Sequence, residues 1–269
     1  FRHPFETGME TVPESRPCGL EARHLEALRA VVGAENVFTD VYRRLGVAYG
    51  KTMLDAMRLR KGIIENIPDA VLHPRSRADL RAVVDYCAAN GIPVYVYGGG
   101  SSVTRGVEAV KGGVTLDMRV HLNKVLAFDE KNHTITVEAG MSGPELERQL
   151  RNAAALHGAK RAYTCGHLPQ SFEYSAVGGW VTTRGSGQNS SYYGNAADMV
   201  IAQDYVCPAC DIRTGEFPAA ANGPDVDEIM MGSEGTFGVL YSATLRFRMY
   251  MPKNTRRYSY IFPSWEEAK

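Results

Sequence analysis

Glycine gathers at three separated places along this 269-residue chain. They are Gly98-Gly99-Gly100 followed by Ser101-Ser102, Gly178-Gly179 inside a Gly-, Ser-, Thr- and Asn-rich stretch from Gly166 to Gly194, and Gly232-Ser233-Glu234-Gly235-Thr236-Phe237-Gly238. A residue without a Cβ admits backbone conformations closed to others and lets the main chain approach another group closely, so such clusters mark loops with a geometric duty. The first cluster ends a β-rich run, Ile92-Pro93-Val94-Tyr95-Val96-Tyr97, which follows a helical pattern of Leu80, Val83, Val84 and Cys87 stopped by Gly91. Helix, strand, glycine loop is an order that turns consecutive N–H groups toward one point, a concavity suited to phosphate oxygens, with Ser101 and Ser102 as hydroxyl donors. Taken alone the triplet is equally a plain turn. It is not the dinucleotide fingerprint, because Val103 stands where the third glycine belongs.

The rest of the pattern alternates helices and strands. Leu20 to Val32 and Thr52 to Lys61 read as a helical lead-in, Ile67 to Pro74 as an extended run, and Ser76 with Asp79 as a capping-box helix start. Strands are predicted at Val114–Met118, Lys124–Phe128, Thr134–Glu138 and Met199–Val206, and a helix opens at Ser142, with Pro144 in its first turn and Glu145 completing a Ser-x-x-Glu capping box. Gly238 to Tyr250 alternates, with Val239, Tyr241, Ala243, Leu245, Phe247 and Met249 on one face, and predicts a half-buried strand. Mixed runs of this kind point to an α+β fold. The stretch from Gly166 to Gly194 reads as a long functional loop in which Phe172, Tyr174, Val177 and Trp180 pack while Ser171, Ser175, Thr182, Thr183, Arg184, Ser186 and Asn189 face a ligand.

Composition narrows the partners. Thirty basic residues balance 30 acidic ones, which argues against nucleic acid and anionic membrane and leaves a small molecule as the expected partner. No run approaches the roughly 20 apolar residues of a membrane-spanning helix, and Phe1-Arg2-His3-Pro4-Phe5 has no apolar signal core. Five scattered cysteines fit a reducing compartment, with the cytoplasm as the default location. The chain opens on Phe1 rather than Met and closes on Trp265-Glu266-Glu267-Ala268-Lys269, the first turn of an unfinished helix, and so reads as a fragment.

Two motifs are set aside. Gly46-Val47-Ala48-Tyr49-Gly50-Lys51-Thr52 has the Gly-Lys-Thr end of a phosphate loop but one residue too few between the glycines and no preceding strand, so it reads as a helix start. Cys207-Pro208-Ala209-Cys210 has redox or metal-knuckle spacing, yet no second Cys/His pair completes a tetrahedral site; it reads as a strand-end turn flanked by solvated Asp204 and Asp211, and no metal is expected.

Several stretches in fixed order carry a resemblance: Val96 to Ser102, Val137-Glu138-Ala139-Gly140 with Glu145 to Leu150, Gly166-His167-Leu168-Pro169 through Val177 to Trp180, Thr183 to Gly187, and Met231 to Thr236. Together they resemble the FAD-binding domain of the vanillyl-alcohol oxidase and p-cresol methylhydroxylase type, and within it the alkyldihydroxyacetonephosphate (alkylglycerone-phosphate) synthases and bacterial FAD-linked oxidases. The resemblance implies two α+β subdomains, about residues 66–136 and 137–250, after a helical lead-in over 1–65 and before the start of a C-terminal cap at 251–269. It implies that Val96, Tyr97, Gly98, Gly99, Gly100, Ser101 and Ser102 wrap the pyrophosphate of FAD. Gln170, Ser171, Phe172, Glu173, Tyr174, Ser175, Ala176, Gly178, Gly179, Thr183, Arg184, Gly185 and Ser186 would line the flavin, and Glu234, Gly235, Thr236, Phe237, Gly238, Val239 and Leu240 would complete the site.

Where covalently flavinylated relatives carry His or Cys, this chain has Gly100 and Phe172, so noncovalent FAD is expected. Ala176 replaces a threonine of the synthase motif. His167 is the one candidate acid or base, with a loop-ordering histidine as the competing reading, and Arg184 either meets the flavin or forms a structural ion pair. The implied activity is acyl-to-alkyl exchange on dihydroxyacetone phosphate in ether-lipid synthesis. The alternatives are an FAD-linked D-2-hydroxyacid (lactate or glycolate) dehydrogenase and a non-catalytic flavin-binding subunit. A homodimer is compatible with this reading, and a eukaryotic synthase would be peroxisomal.

Overall fold

The computed structural model describes residues 11–215, 217 and 221–269, so the reading of Phe1 to Phe5 lies outside the described residues. The lead-in begins with α1 (Ala22–Val32), which buries Leu28 and Val32, and continues through β1 (Val37–Phe38) and α2 (Val41–Gly46), whose N-cap Asp40 accepts from the Arg43 N–H. The helix expected from Thr52 is α3 (Met53–Arg60); Thr52 and Asp55 form a reciprocal capping box at its start. A buried ion cluster ties α3 forward: the Arg58 guanidinium donates to Asp55 at 3.2 Å and Glu108 at 2.8 Å and also pairs with Glu65. Burial works against the Glu108 charge, but Arg105, Arg58 and Asn66 overcome it and hold the carboxyl down to about 2.

Next come β2 (Ala70–Leu72), α4 (Arg77–Ala89), β3 (Val94–Tyr97) and β4 (Val114–Asp117). The first sheet runs β1-β2-β4-β3; β2 and β3 flank β4 in parallel and β1 joins antiparallel. The Ser76 hydroxyl accepts from the Asp79 N–H as expected, while the Asp79 carboxylate turns to Arg75 instead of closing the box.

The second sheet begins with β5 (Val125–Asp129) and β6 (Thr134–Glu138), followed by α5 (Gly143–Arg151), α6 (Ala153–His157) and β7 (Tyr163–Thr164). The expected long loop then folds into α7 (Val177–Thr182) and α8 (Ser190–Tyr193), and α9 (Ala196–Met199) follows it ahead of β8 (Val200–Val206), β9 (Asp211–Arg213) and α10 (Val226–Met230). The long alternating segment is β10 (Val239–Arg246), broken at Phe247 from β11 (Arg248–Met249), which pairs with β7; a last turn, α11, covers Trp265–Ala268. The antiparallel order is β5-β6-β10-β8-β9. β5, N-terminal to residue 136, is therefore a strand of the second sheet.

The position of β10 corrects one expectation. It is central, not half-buried: Val239, Leu240, Ser242, Ala243, Thr244 and Leu245 are all buried, and the polar face is satisfied inside, as where the Thr136 and Thr244 hydroxyls bond at 2.9 Å. Asp204 and Asp211 are not solvated bystanders either. Arg77 of α4 clasps Asp204 with two bonds of 2.9 and 2.8 Å and reaches Asp211 at 2.8 Å, while Arg81 donates to Asp211 and to the Cys207 carbonyl. α4 thus bolts the first sheet's crossover helix to the edge of the second, and one apolar core containing Leu80, Leu116, Val137 and Tyr205 runs through both.

Candidate functional site

Leaving β3, the chain turns at Gly98-Gly99-Gly100 against the segment Tyr174-Ser175-Ala176. A Cβ on Gly99 would overlap the Tyr174 carbonyl, one on Gly98 would lie 3.2 Å from the Ala176 Cβ, and Gly100 has φ +63 with the Tyr97 hydroxyl behind it. Only glycine allows the two loops to touch here. Tyr97 itself is buried and donates to the Gly46 carbonyl at 3.2 Å, so it anchors the loop rather than facing the cavity. The set-aside Gly46 to Thr52 segment has a structural role on the same loop: the Lys51 N–H donates to the Ser102 carbonyl at 3.0 Å.

The second loop is held from behind. Ser142 and Ala176 form an isolated bridge, the Val177 N–H donates to the Met141 carbonyl at 2.8 Å, and the Gly178 N–H to the Ala139 carbonyl at 2.8 Å. The Trp180 indole N–H donates to the Ser175 hydroxyl at 2.8 Å and stacks on Phe172. These tertiary bonds make α7 from a Gly-Gly sequence of poor helix propensity, which is why local reading placed a loop here. Upstream, the Glu147 carboxylate of α5 accepts from the Thr164 hydroxyl at 2.9 Å and the Cys165 N–H at 2.8 Å, fixing the chain where it enters this loop.

The third loop is pinned to the end of α7. The Glu234 N–H donates to the Thr182 carbonyl at 3.0 Å with φ +49, and Gly232 and Gly235 have φ +80 and +87. Arg184 resolves as a structural ion pair: it donates to the Met231 carbonyl at 3.2 Å and the Glu228 carbonyl at 2.6 Å and pairs with the Glu228 carboxylate.

The three loops wall one cavity of about 740 Å³. Among the residues expected at the site, Val96, Gly98 to Ser102, Gln170, Ser171, Ser175, Ala176, Gly178, Gly179, Thr183, Gly185, Ser186, Glu234, Gly235, Gly238 and Leu240 line it. Tyr97, Phe172, Glu173, Tyr174, Arg184, Thr236, Phe237 and Val239 stand outside the lining and act, where contacts are seen, as supports. Thr182, read as facing a ligand, also lines the cavity, whereas sequence reading missed Met118, Val107, Ala139, Trp180, Gly187 and Gln188 as lining residues; Ala139 sat inside a quoted motif, but nothing local marked Met118. Glu234 is the one charged residue of the lining, so an anionic group held there meets main-chain N–H groups and hydroxyls rather than cationic side chains.

His167 lies in the wall behind Trp180, 1% exposed, with rings at 4.6 Å edge to face. Neither ring nitrogen has a partner, and burial pushes the imidazole down to about 4, so it is neutral at pH 7 and does not face the cavity. The imidazole packs against Trp180 and makes none of the side-chain hydrogen bonds that the loop-ordering reading expected. Among the described residues no cluster of three or more His, Cys, Asp and Glu could hold a metal, and no helix is long and apolar enough to cross a membrane.

A family model described as FAD binding domain matches residues 68–215, more than half of the chain. An alkyldihydroxyacetonephosphate synthase of Caenorhabditis elegans is 36% identical over 230 residues, covering 84% of this chain and 37% of that protein. The glycolate oxidase subunit GlcD of Bacillus subtilis is 27% identical over 223 residues, covering 82% and 44%. A solved alkyldihydroxyacetonephosphate synthase superposes with a TM-score of 0.80 at 28% identity, over 88% of this chain and 42% of that one. The chain spans about two fifths of the length of the curated synthases it matches.

Proposed function

We propose, for a chain that belongs to the family of FAD-binding domains and takes FAD as its cofactor, that the cavity walled by the three glycine loops holds the FAD noncovalently. One observation carries this reading: three loops distant in sequence close on a single cavity at positions where a Cβ would overlap neighbouring main chain. Their lining also fits the cofactor chemically, with N–H groups and hydroxyls of Gly98 to Ser102 for the pyrophosphate and an apolar and polar wall from Ala176, Gly179, Trp180 and Leu240 for a ring system. Bound flavin supplies two-electron redox chemistry. The part of this chain is to bind and orient it: the loop after β3 takes the phosphates, α7 and the second loop flank the ring, and Arg184 keeps the third loop closed over one side. Gly100 and Phe172, at the places where covalently flavinylated relatives carry His or Cys, support the absence of a covalent link.

In domain terms, residues up to 65 form the lead-in, 66–250 the FAD-binding domain, and 251–269 the beginning of a cap. The division within the FAD-binding domain is best drawn between β4 and β5, because β5 belongs to the second sheet.

The activity we propose is that of an alkyldihydroxyacetonephosphate synthase, for which the resemblance implies alkyl-for-acyl exchange on dihydroxyacetone phosphate, because identity to a synthase is 36% against 27% for the glycolate oxidase subunit. Its partner is then a small-molecule substrate, and the cytoplasm is the location we assign.

The first test is a visible absorption spectrum of the chain incubated with FAD, repeated on the supernatant after acid precipitation. Flavin bands that pass into the supernatant are expected. Bands retained in the pellet refute noncovalent binding, and no flavin uptake refutes the cofactor site. Anaerobic bleaching of the flavin by a 2-hydroxy acid would overturn the synthase activity in favour of a hydroxyacid dehydrogenase.

A further inference from the structure

The Cys207-Pro208-Ala209-Cys210 motif closes the β8–β9 hairpin. The ladder ends on Val206 facing Asp211, and continuing its register one step past the last paired residues sets Cys207 opposite Cys210, with Pro208 and Ala209 between them. Facing residues of an antiparallel pair sit about 4.5–5.5 Å apart at Cα with side chains on one face, inside the roughly 4.4–6.8 Å that a disulfide spans. Both ends of the tip are held in place by Arg81, which donates to the Cys207 carbonyl at 2.6 Å and to the Asp211 carboxylate at 2.9 Å. The two thiols are free and differ in access: Cys210 is exposed, while Cys207 is 5% exposed.

We propose that Cys207 and Cys210 form a reversible dithiol–disulfide site that exchanges with low-molecular-weight disulfides. The exposed Cys210, as thiolate, attacks one sulfur of the external disulfide; that S–S bond breaks, and the other sulfur leaves as a thiolate that takes up a proton from water. Cys207 then gives up its proton and attacks the Cys210 sulfur of the mixed disulfide, which releases the second thiol. Two protein thiols are oxidised, one external disulfide is reduced to two thiols, and no other reactant is needed. Burial, with the charges of Cys210 and Asp211 behind it, raises the Cys207 thiol above its ordinary range, which leaves it the resolving thiol rather than the one that attacks first.

The site adjoins the cavity. A Cβ on Gly238 would lie 2.6 Å from the Cys207 sulfur, and Gly238 lines the cavity at the end of the third loop. Turning that sulfur toward Cys210 removes the packing beneath Gly238. On the flavin reading, which this consequence alone depends on, the oxidised chain releases FAD more readily than the reduced one.

The test uses the fully reduced chain, freed of reductant under anaerobic conditions and incubated with oxidised glutathione, then alkylated with iodoacetamide and digested with trypsin. Cleavage after Arg184 and Arg213 puts both cysteines, and no others, on one peptide, Gly185 to Arg213. The expected product is that peptide unalkylated and lighter by two hydrogens, and it should alkylate twice after reduction. Cys207→Ser should trap one glutathione on Cys210, and Cys210→Ser should leave Cys207 free to be alkylated. A peptide that alkylates twice after oxidation, or a wild-type mixed disulfide that does not resolve, overturns the proposal. These readouts need no flavin, so they fail independently of the cofactor site. FAD titrations of the two redox forms read the coupling: weaker binding by the oxidised form is expected, and superimposable curves overturn that link.

Discussion

Gly178 and Gly179 are adjacent in the first turn of α7, yet a side chain at each should act in opposite directions. A Cβ on Gly178 would lie 2.8 Å from the Ala139 Cβ and 2.9 Å from its carbonyl oxygen, so Gly178→Ala forces the helix off β6. Overpacking of that kind costs about 1–3 kcal/mol. A Cβ on Gly179 meets nothing within 4 Å, its backbone has no positive φ, and the residue lines the cavity. Gly179→Ala should therefore stabilise the FAD-free chain by up to about 0.5–1 kcal/mol through helix propensity. That gain is about 1–3 °C in melting temperature for a chain of this size. Gly179→Leu should fold as well, but its side chain enters the volume assigned to the cofactor. If accommodating it costs about 1–3 kcal/mol, FAD binding weakens by about 5- to 150-fold. Quenching of flavin fluorescence on titration reads the affinity, and thermal melts with and without FAD read the fold. A Gly179→Leu chain that melts normally and binds FAD with wild-type affinity would refute the placement of the cofactor beside α7, and a destabilised Gly179→Ala would refute the description of this turn.

Three further outcomes follow from the same contacts. Glu147→Ala leaves the Cys165 N–H and the Thr164 hydroxyl without their acceptor in a buried place and should cost about 2–3 kcal/mol in urea unfolding, while the exposed neighbour substitution Arg148→Ala stays near zero. His167 has a folded-state value of about 4 against an ordinary 6.5. The unfolded chain thus binds the extra proton first, and stability should fall as pH drops from about 6.5 toward 4, by up to about 3 kcal/mol. His167→Phe should flatten that part of the stability–pH profile, and an unchanged slope would contradict a buried, unpaired imidazole. Arg77→Ala removes the clasp at the seam between α4 and the second sheet, leaving Asp204 only Arg213 and Asp211 only Arg81, and should cost about 1–2 kcal/mol, with Arg77→Lys recovering only part of it because one ammonium cannot make the bidentate clasp.

Much of this molecule was legible without coordinates where the signal is local. Periodicity and capping residues located α1, α3, α4 and α5, because a Thr52 or Ser142 hydroxyl needs only its own next turn to accept from. The capping boxes were half legible: Glu145 turns to Arg148 and Gln149 instead of the N-cap, a choice among neighbours that spacing cannot rank. The glycine clusters declared loops with close approaches, since nothing but a missing Cβ permits them.

What approaches what was decided only in three dimensions. Whether Asp204 is solvated depends on Arg77, 127 residues away, and whether Arg184 faces a ligand depends on Glu228 and Met231, 44 and 47 residues away. The alternation of β10 announced one buried face, but its place between β6 and β8 buries both, and the same central position makes room for Thr136 and Thr244 to satisfy each other inside the sheet. Chain chemistry therefore determined the kinds of element and the loops that could cradle a ligand. Assigning side chains to core, clasp or cavity required the sheet order, because burial and pairing are properties of groups brought together across the chain and have no imprint in the residues adjacent to them.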